Sequence, residues 1–179
     1  MEKADIPWSV PVPAEDIPEG GRHLDIEAPA AVLSGVAALA DVREVSQLAA
    51  SFDLTRRGAG VHVAGRVTGK VGQTCVVSLE PIESEVDEAI DLSFAPQPEG
   101  AAAQPKSAAR KRSKPGEEPP EPLIDGTVDL GAIATEFLIL GIDPYPRKAG
   151  VEFTPPKVAA EGPHPFAALA ALKKRPGGG

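Results

Sequence analysis

An α+β fold is predicted: an antiparallel sheet or partly closed barrel with covering helices, plus a disordered insertion and tail. Three observations predict it. Val61, Val63, Gly65 and Val67 alternate with His62, Ala64, Arg66 and Thr68, the period of a half-buried strand. Leu130, Ile133, Ala134, Phe137, Leu138 and Gly141 recur at the i, i+3, i+4, i+7 spacing of an amphipathic helix. Between them, residues 96–122 hold Gly, Ala, Pro, Lys and Glu but no Val, Ile or aromatic residue, too little apolar surface to offset chain entropy. The expected units are residues 1–95 as the N-terminal part of a single domain and 96–122 as a disordered, charged and Pro-rich insertion. Residues 123–146 are then the C-terminal strand and helix of the same domain, and 147–179 a flexible tail with a short helical island at 165–174.

Taken in order, residues 6–12 are extended, because Pro7, Pro11 and Pro13 suit an edge strand or an irregular lead-in. Arg22–Glu27 alternates charge with Leu24 and Ile26 and reads as a short strand. Pro29 suits the first turn of a helix, since it lacks an N–H, and Val32, Leu33, Val36, Leu39 and Ala40 share one helical face. From Glu44 the period becomes two, with Val45, Leu48, Phe52 and Leu54 in an imperfect, bulged strand. Arg56–Gly60 is a turn, followed by the strand over 61–67. Gly69, Lys70 and Gly72 are expected to form the next turn, with Cys75, Val77 and Leu79 on a strand ended by Pro81. Ile82, Val86, Ile90, Leu92 and Phe94 build another strand. Asp125-Gly126 is a turn, Thr127–Asp129 a short strand, and Asp129 the N-cap of the helix that Pro144 stops. In the tail, Pro165 starts a short helix with Phe166, Leu169 and Leu172 on one side.

The totals exclude several classes. Aromatics are 4% of the chain, so the core rests on Val, Leu, Ile and Ala. No run of about 18 apolar residues exists to span a bilayer. Residues 1–8 contain no signal-like apolar run, so a cytoplasmic location is expected. Cys75 is the only cysteine, which excludes an internal disulfide, and His23, His62 and His164 are scattered singly, so no tetrahedral metal site is expected. Cys75 is read as a small buried hydrophobe on a strand and His62 as a surface residue. No phosphate-binding glycine loop and no nucleophile–base pair occurs, so neither catalysis nor a cofactor is expected.

Charge is the remaining signal. The net charge of −8 discourages attraction to phosphate backbones. Glu83, Glu85, Asp87 and Glu88 belong to an acidic run with no cation between Val71 and Pro105, either a solvated strand face or a surface for a basic partner. Lys106, Arg110, Lys111, Arg112 and Lys114 form the opposite cluster, either a solvated linker or a contact for RNA phosphates. Tyr145 and Arg147, just past the helix, are further contact candidates.

Three pieces together resemble the YceD-like family of large ribosomal RNA subunit accumulation proteins. They are Val61–Pro81, with Gly65-Arg-Val-Thr-Gly and Cys75-Val-Val-Ser-Leu-Glu-Pro; Val128-Asp-Leu-Gly with Glu136 to Arg147; and Pro165-Phe-Ala-Ala-Leu-Ala with Leu172-Lys. The likeness spans about residues 44–172, and the wording around Cys75 is similar to that of an alphaproteobacterial branch. The resemblance implies a bacterial, non-catalytic role in accumulation or assembly of the large ribosomal subunit RNA, with a ribosomal protein or an rRNA precursor as partner and no membrane contact. Many members carry Cys-x-x-Cys where this chain has Cys75 and Ser78, so no two-thiol role transfers to it. The rival expectation is a protein-interaction module or chaperone unrelated to ribosomes.

Overall fold

The computed structural model describes residues 6–96 and 120–153. The strands are β1 (Pro11–Pro13), β2 (Arg22–Glu27), β3 (Glu44–Arg57), β4 (Gly60–Thr74), β5 (Pro81–Pro96), β6 (Glu121–Leu123) and β7 (Thr127–Asp129), with helices α1 (Ala30–Leu39) and α2 (Leu130–Gly141). Five strands form one sheet in the order β2-β3-β4-β5-β6, and β1 pairs with β7 in a separate two-stranded ribbon. The five-stranded sheet stays open and does not close into a barrel. All its pairs are antiparallel except β5 with β6, which run parallel.

The long hairpins follow from the period-two patterning. Val45, Leu48, Ala50, Phe52 and Leu54 of β3 are buried beside Val61, Val63, Val67 and Val71 of β4 and Val86 and Ile90 of β5. The register shift between Val45 and Gln47 is the bulge that lets Val45 and Leu48, three residues apart, point to the same side. Burying one face this way fixes the register, since a one-residue slip would turn every valine outward. Helices α1 and α2, the β1–β7 ribbon and Trp8 and Ile17 cover that face. Phe52 is fully buried at its centre; truncation of such a side chain to Ala costs about 3–5 kcal/mol.

Two local expectations are corrected. Gly69, Lys70 and Gly72 do not turn the chain, because β4 runs unbroken to Thr74 and pairs with β5 along its length. Gly69 is needed for close approach instead: a Cβ there would collide with Cδ1 of Leu138 on α2. The turn comes later, and residues 75–80, expected on a strand, form it. Strand β6 begins within the stretch read as insertion, at Glu121. The rest of that insertion, with Lys106, Arg110, Lys111, Arg112 and Lys114, lies outside the described residues, as does the helical island at 165–174.

The start of α2 is fixed by Asp129. Its Oδ1 accepts from the backbone N–H of Ala132 at 3.1 Å and from that of Val10 at 2.8 Å, while Oδ2 accepts from the Ser9 hydroxyl. One carboxylate thus caps the helix and ties the N-terminal lead onto it. Gly131 allows this approach, since a Cβ there would sit 2.9 Å from the Trp8 carbonyl oxygen.

Candidate functional site

With one face of the sheet buried, no element among the described residues covers the other, and its residues follow from the register. One row across the strands reads His23, Asp53, Ala64, Asp91; the next reads Asp25, Ser51, Arg66, Ala89; a third reads Glu27, Ala49, Thr68, Asp87. Below them Lys70 faces Glu85, and Gly72 faces Glu83. Eight carboxylates stand on this face, Glu44 opposite Gly72 among them, against three cations, Arg57, Arg66 and Lys70. Between them stand small side chains, Ala49, Ser51, Ala64, Thr68 and Ala89, which leave the surface low. A shallow depression at its edge is lined by Asp25, Glu27, Ala49, Ser51, Arg66 and Thr68.

Arg66 and Lys70 are already engaged, while Arg57 at the β3–β4 hairpin has no ion-pair partner among the described residues. Nη1 of Arg66 donates to both oxygens of Asp87, at 2.5 and 2.6 Å. Nζ of Lys70 lies 3.5 Å from Glu85, and Nε2 of His62 lies 2.9 Å from Asp91. His23 sits between Asp53 at 2.8 Å and Asp25 at 3.4 Å. The hydrogen bond to Asp53, helped by the nearby charges, raises the His23 pKa above its ordinary value. Such exposed pairs contribute about 0–1 kcal/mol each, so they do little for the fold and exchange readily with a partner's charges. Glu27 and Glu83 have no ion-pair partner among the described residues.

The contact candidates therefore divide. Glu83, Glu85 and Asp87 lie on the open face. Glu88 pairs across from buried Val67 and so points to the opposite side, beside Gly141 at the end of α2. Arg147 shares a shallow groove with Glu83, Asp143 and Lys148, and Tyr145 is 70% exposed next to it.

That groove borders a feature which nothing in the sequence around Cys75 signals. Cys75 is fully buried, as expected, yet in a turn and not on a strand. Its Sγ accepts the backbone N–H of Lys148 at 3.3 Å and of Ser78 at 3.4 Å. The Lys148 amide, followed by the Ser78 side chain and amide, lowers the thiol pKa to about 6 against the opposing effect of burial. Around it the Val76 N–H donates to the Pro146 carbonyl, Nε2 of Gln73 donates to the Asp143 carbonyl, and Lys148 pairs with Glu80 at 2.9 Å. The Lys148 ammonium, with the Ser78 hydroxyl, holds the Glu80 carboxyl below its usual range. Cys75 thus works as a clamp that locks residues 143–148, the exit of α2, against the β4–β5 turn. The same turn holds Leu79 at a φ of +60°, in the left-handed region, with its N–H bonded to the Cys75 carbonyl at 3.0 Å. Among the described residues no group of three or more His, Cys, Asp or Glu side chains is placed to hold a metal ion. No helix among them is long and apolar enough to cross a membrane.

Comparison with known proteins adds one match. A family model described as large ribosomal RNA subunit accumulation protein YceD matches residues 63–173, from β4 through α2 and beyond. No curated protein and no solved structure matches the chain.

Proposed function

We propose, from the premise that the chain belongs to the YceD family of large ribosomal RNA subunit accumulation proteins, that it acts by binding a basic ribosomal protein before that protein joins the subunit. The family gives a ribosome-related role. The acidic open face of the sheet is the observation that favours a protein partner over RNA, since it would repel phosphates and attract Lys and Arg. No chemistry is needed for this role: the protein is a non-catalytic, cytoplasmic binding factor that works by masking positive charge until assembly. The basic residues 106–114 provide the rival contact, with an rRNA precursor. Phosphate binding by that segment would weaken steeply with salt.

The test is sedimentation of lysate containing the tagged chain, beside a variant with Glu85→Lys and Asp87→Lys and one lacking residues 101–116. Retrieval of a basic ribosomal protein with the tagged chain, from the top fractions or from large-subunit precursors, lost in the charge-reversed variant and kept in the deletion, is the expected result. Presence in the top fractions alone, with no ribosomal protein retrieved, would make the chain an interaction module unrelated to ribosomes. Loss with the deletion and not with the charge reversal would move the contact to RNA.

A further inference from the structure

The open face ends at β2, and there the sheet has a free edge. Strand β2 pairs with β3 along all six of its residues, and among the described residues no strand pairs with its other side. No backbone hydrogen bond from a turn, loop or cap reaches Arg22–Glu27. In an antiparallel strand every second residue turns its N–H and C=O away from the paired neighbour, so β2 presents a row of unmatched groups to solvent. Native sheets protect such edges with proline, charged side chains, a bulge or a covering element. Arg22-His-Leu-Asp-Ile-Glu27 has no proline and its register with β3 is unbroken, and its open-face charges, Asp25 and Glu27, are both acidic, which repels an acidic strand but not a basic one.

The side chains flanking this edge differ by face. On the open face stand Asp25 and Glu27, with Asp53 behind them on β3. On the core face Leu24 and Ile26 are only half-buried, although they pack against the hydrophobic cluster. A strand laid along β2 would complete their burial while facing carboxylates on its other side.

We infer that the free edge of β2 takes up an extended protein segment by strand addition, and that this segment alternates basic with apolar residues. Main-chain hydrogen bonds to β2 supply the affinity, and the two faces read the alternation. Lys or Arg at every second position meets Asp25 and Glu27, and Val, Ile or Leu between them covers Leu24 and Ile26. The inference deepens the proposed function, on which it rests for the basic character of the partner, by specifying the conformation in which that partner binds.

The test uses the full chain and a capped peptide, Lys-Val-Lys-Val-Lys-Val-Lys, at about physiological salt, where unspecific charge attraction is screened. A second peptide of the same sequence carries N-methyl groups on alternate residues, which removes the hydrogen bonds of one edge and keeps the charge. Hydrogen exchange and titration are read together. The expected result is at least tenfold slower exchange, with the first peptide, of the β2 amides that point away from β3, and at least tenfold weaker binding of the second. An Asp25→Lys, Glu27→Lys variant, altered only at exposed positions, is expected to lose at least tenfold in affinity for the first peptide. Equal binding of both peptides, or protection outside β2, would overturn strand addition. So would protection, in the chain without peptide, of the β2 amides that point away from β3, which would mean that a second copy or another part of this chain occupies the edge. Because no ribosome enters this assay, its failure leaves the sedimentation test standing, and the reverse also holds.

Discussion

Replacing Asp129 by Ala removes two distinct supports at once, and the structure says how much each is worth. Loss of the cap on the Ala132 N–H costs about 1 kcal/mol. The Val10 N–H, part-buried and bonded to the same oxygen, is then left without its acceptor, at a cost of about 1–2 kcal/mol. The Ser9 hydroxyl is exposed and finds water, so it adds little. The expected destabilisation is about 2–3 kcal/mol, and for a chain of this size that lowers Tm by roughly 8 °C. Asp129→Asn keeps an oxygen for both N–H groups, and Asn is as good an N-cap, so less than about 1 kcal/mol should be lost. Urea unfolding followed by far-UV circular dichroism measures both, with the midpoint moving at constant m if only stability has changed. An Ala variant within about 0.5 kcal/mol of the parent would refute the assignment. An Asn variant as damaged as the Ala one would show that charge, and not the shared oxygen, is what Asp129 contributes.

The remaining predictions concern the clamp, the turn, the helix contact and the open face. Because the Cys75 pKa in the folded chain is depressed to about 6, below its unfolded value, its contribution to stability is full above the unfolded pKa. That contribution is lost as pH falls through about 6, so the urea midpoint should rise from pH 6 to 9 more steeply in the parent than in Cys75→Ala, and parallel pH profiles would refute the clamp. Leu79→Gly removes a left-handed strain worth about 1–2 kcal/mol against a smaller entropic cost, so a net gain of about 0.5–1 kcal/mol is expected in the same unfolding experiment. Gly69→Ala forces a methyl into Leu138 and should cost about 1–3 kcal/mol, whereas Gly69→Ala with Leu138→Ala should cost less than the two separate losses together. In an NMR titration His23 should hold its proton above its ordinary pKa, and Asp53→Asn should bring it down.

The sheet and both helices are legible in the sequence because each is written in a local period. Arg22–Glu27 and the N-cap at Asp129 are found at their expected places for that reason. What fails is punctuation. Gly69 and Gly72 carry the same residue type that ends hairpins, but here their missing side chains make room for Leu138 and Glu44, neighbours distant in sequence. Cys75 fails similarly: the residue that sets its chemistry, Lys148, is 73 positions away. The acidic run is visible as composition, and period two alone sets Asp87 and Glu88 on opposite sides, yet only the pairing shows that Asp87 meets Arg66 on the open face while Glu88 lies by the end of α2.

Topology separates the carboxylates of β2 from the basic stretch. Strand β5 ends at Pro96 and β6, reached through the basic stretch, pairs back onto that same end, with Phe94 opposite Glu121 and Pro96 opposite Leu123. The two anchors of the basic stretch therefore sit on β5 and β6, three and four strands from β2. Strands lie about 4.8 Å apart, so roughly 14 Å separates β2 from β5, more than a Debye length at physiological salt. The carboxylates beside β2 are thus screened from the anchors of the basic stretch, and charge changes at the two edges should act independently. On the proposed reading a protein partner on β2 and a contact through residues 106–114 are separable, and additive effects of the two alterations on binding would be the physical signature, whereas coupled effects would show that the basic stretch reaches the β2 edge.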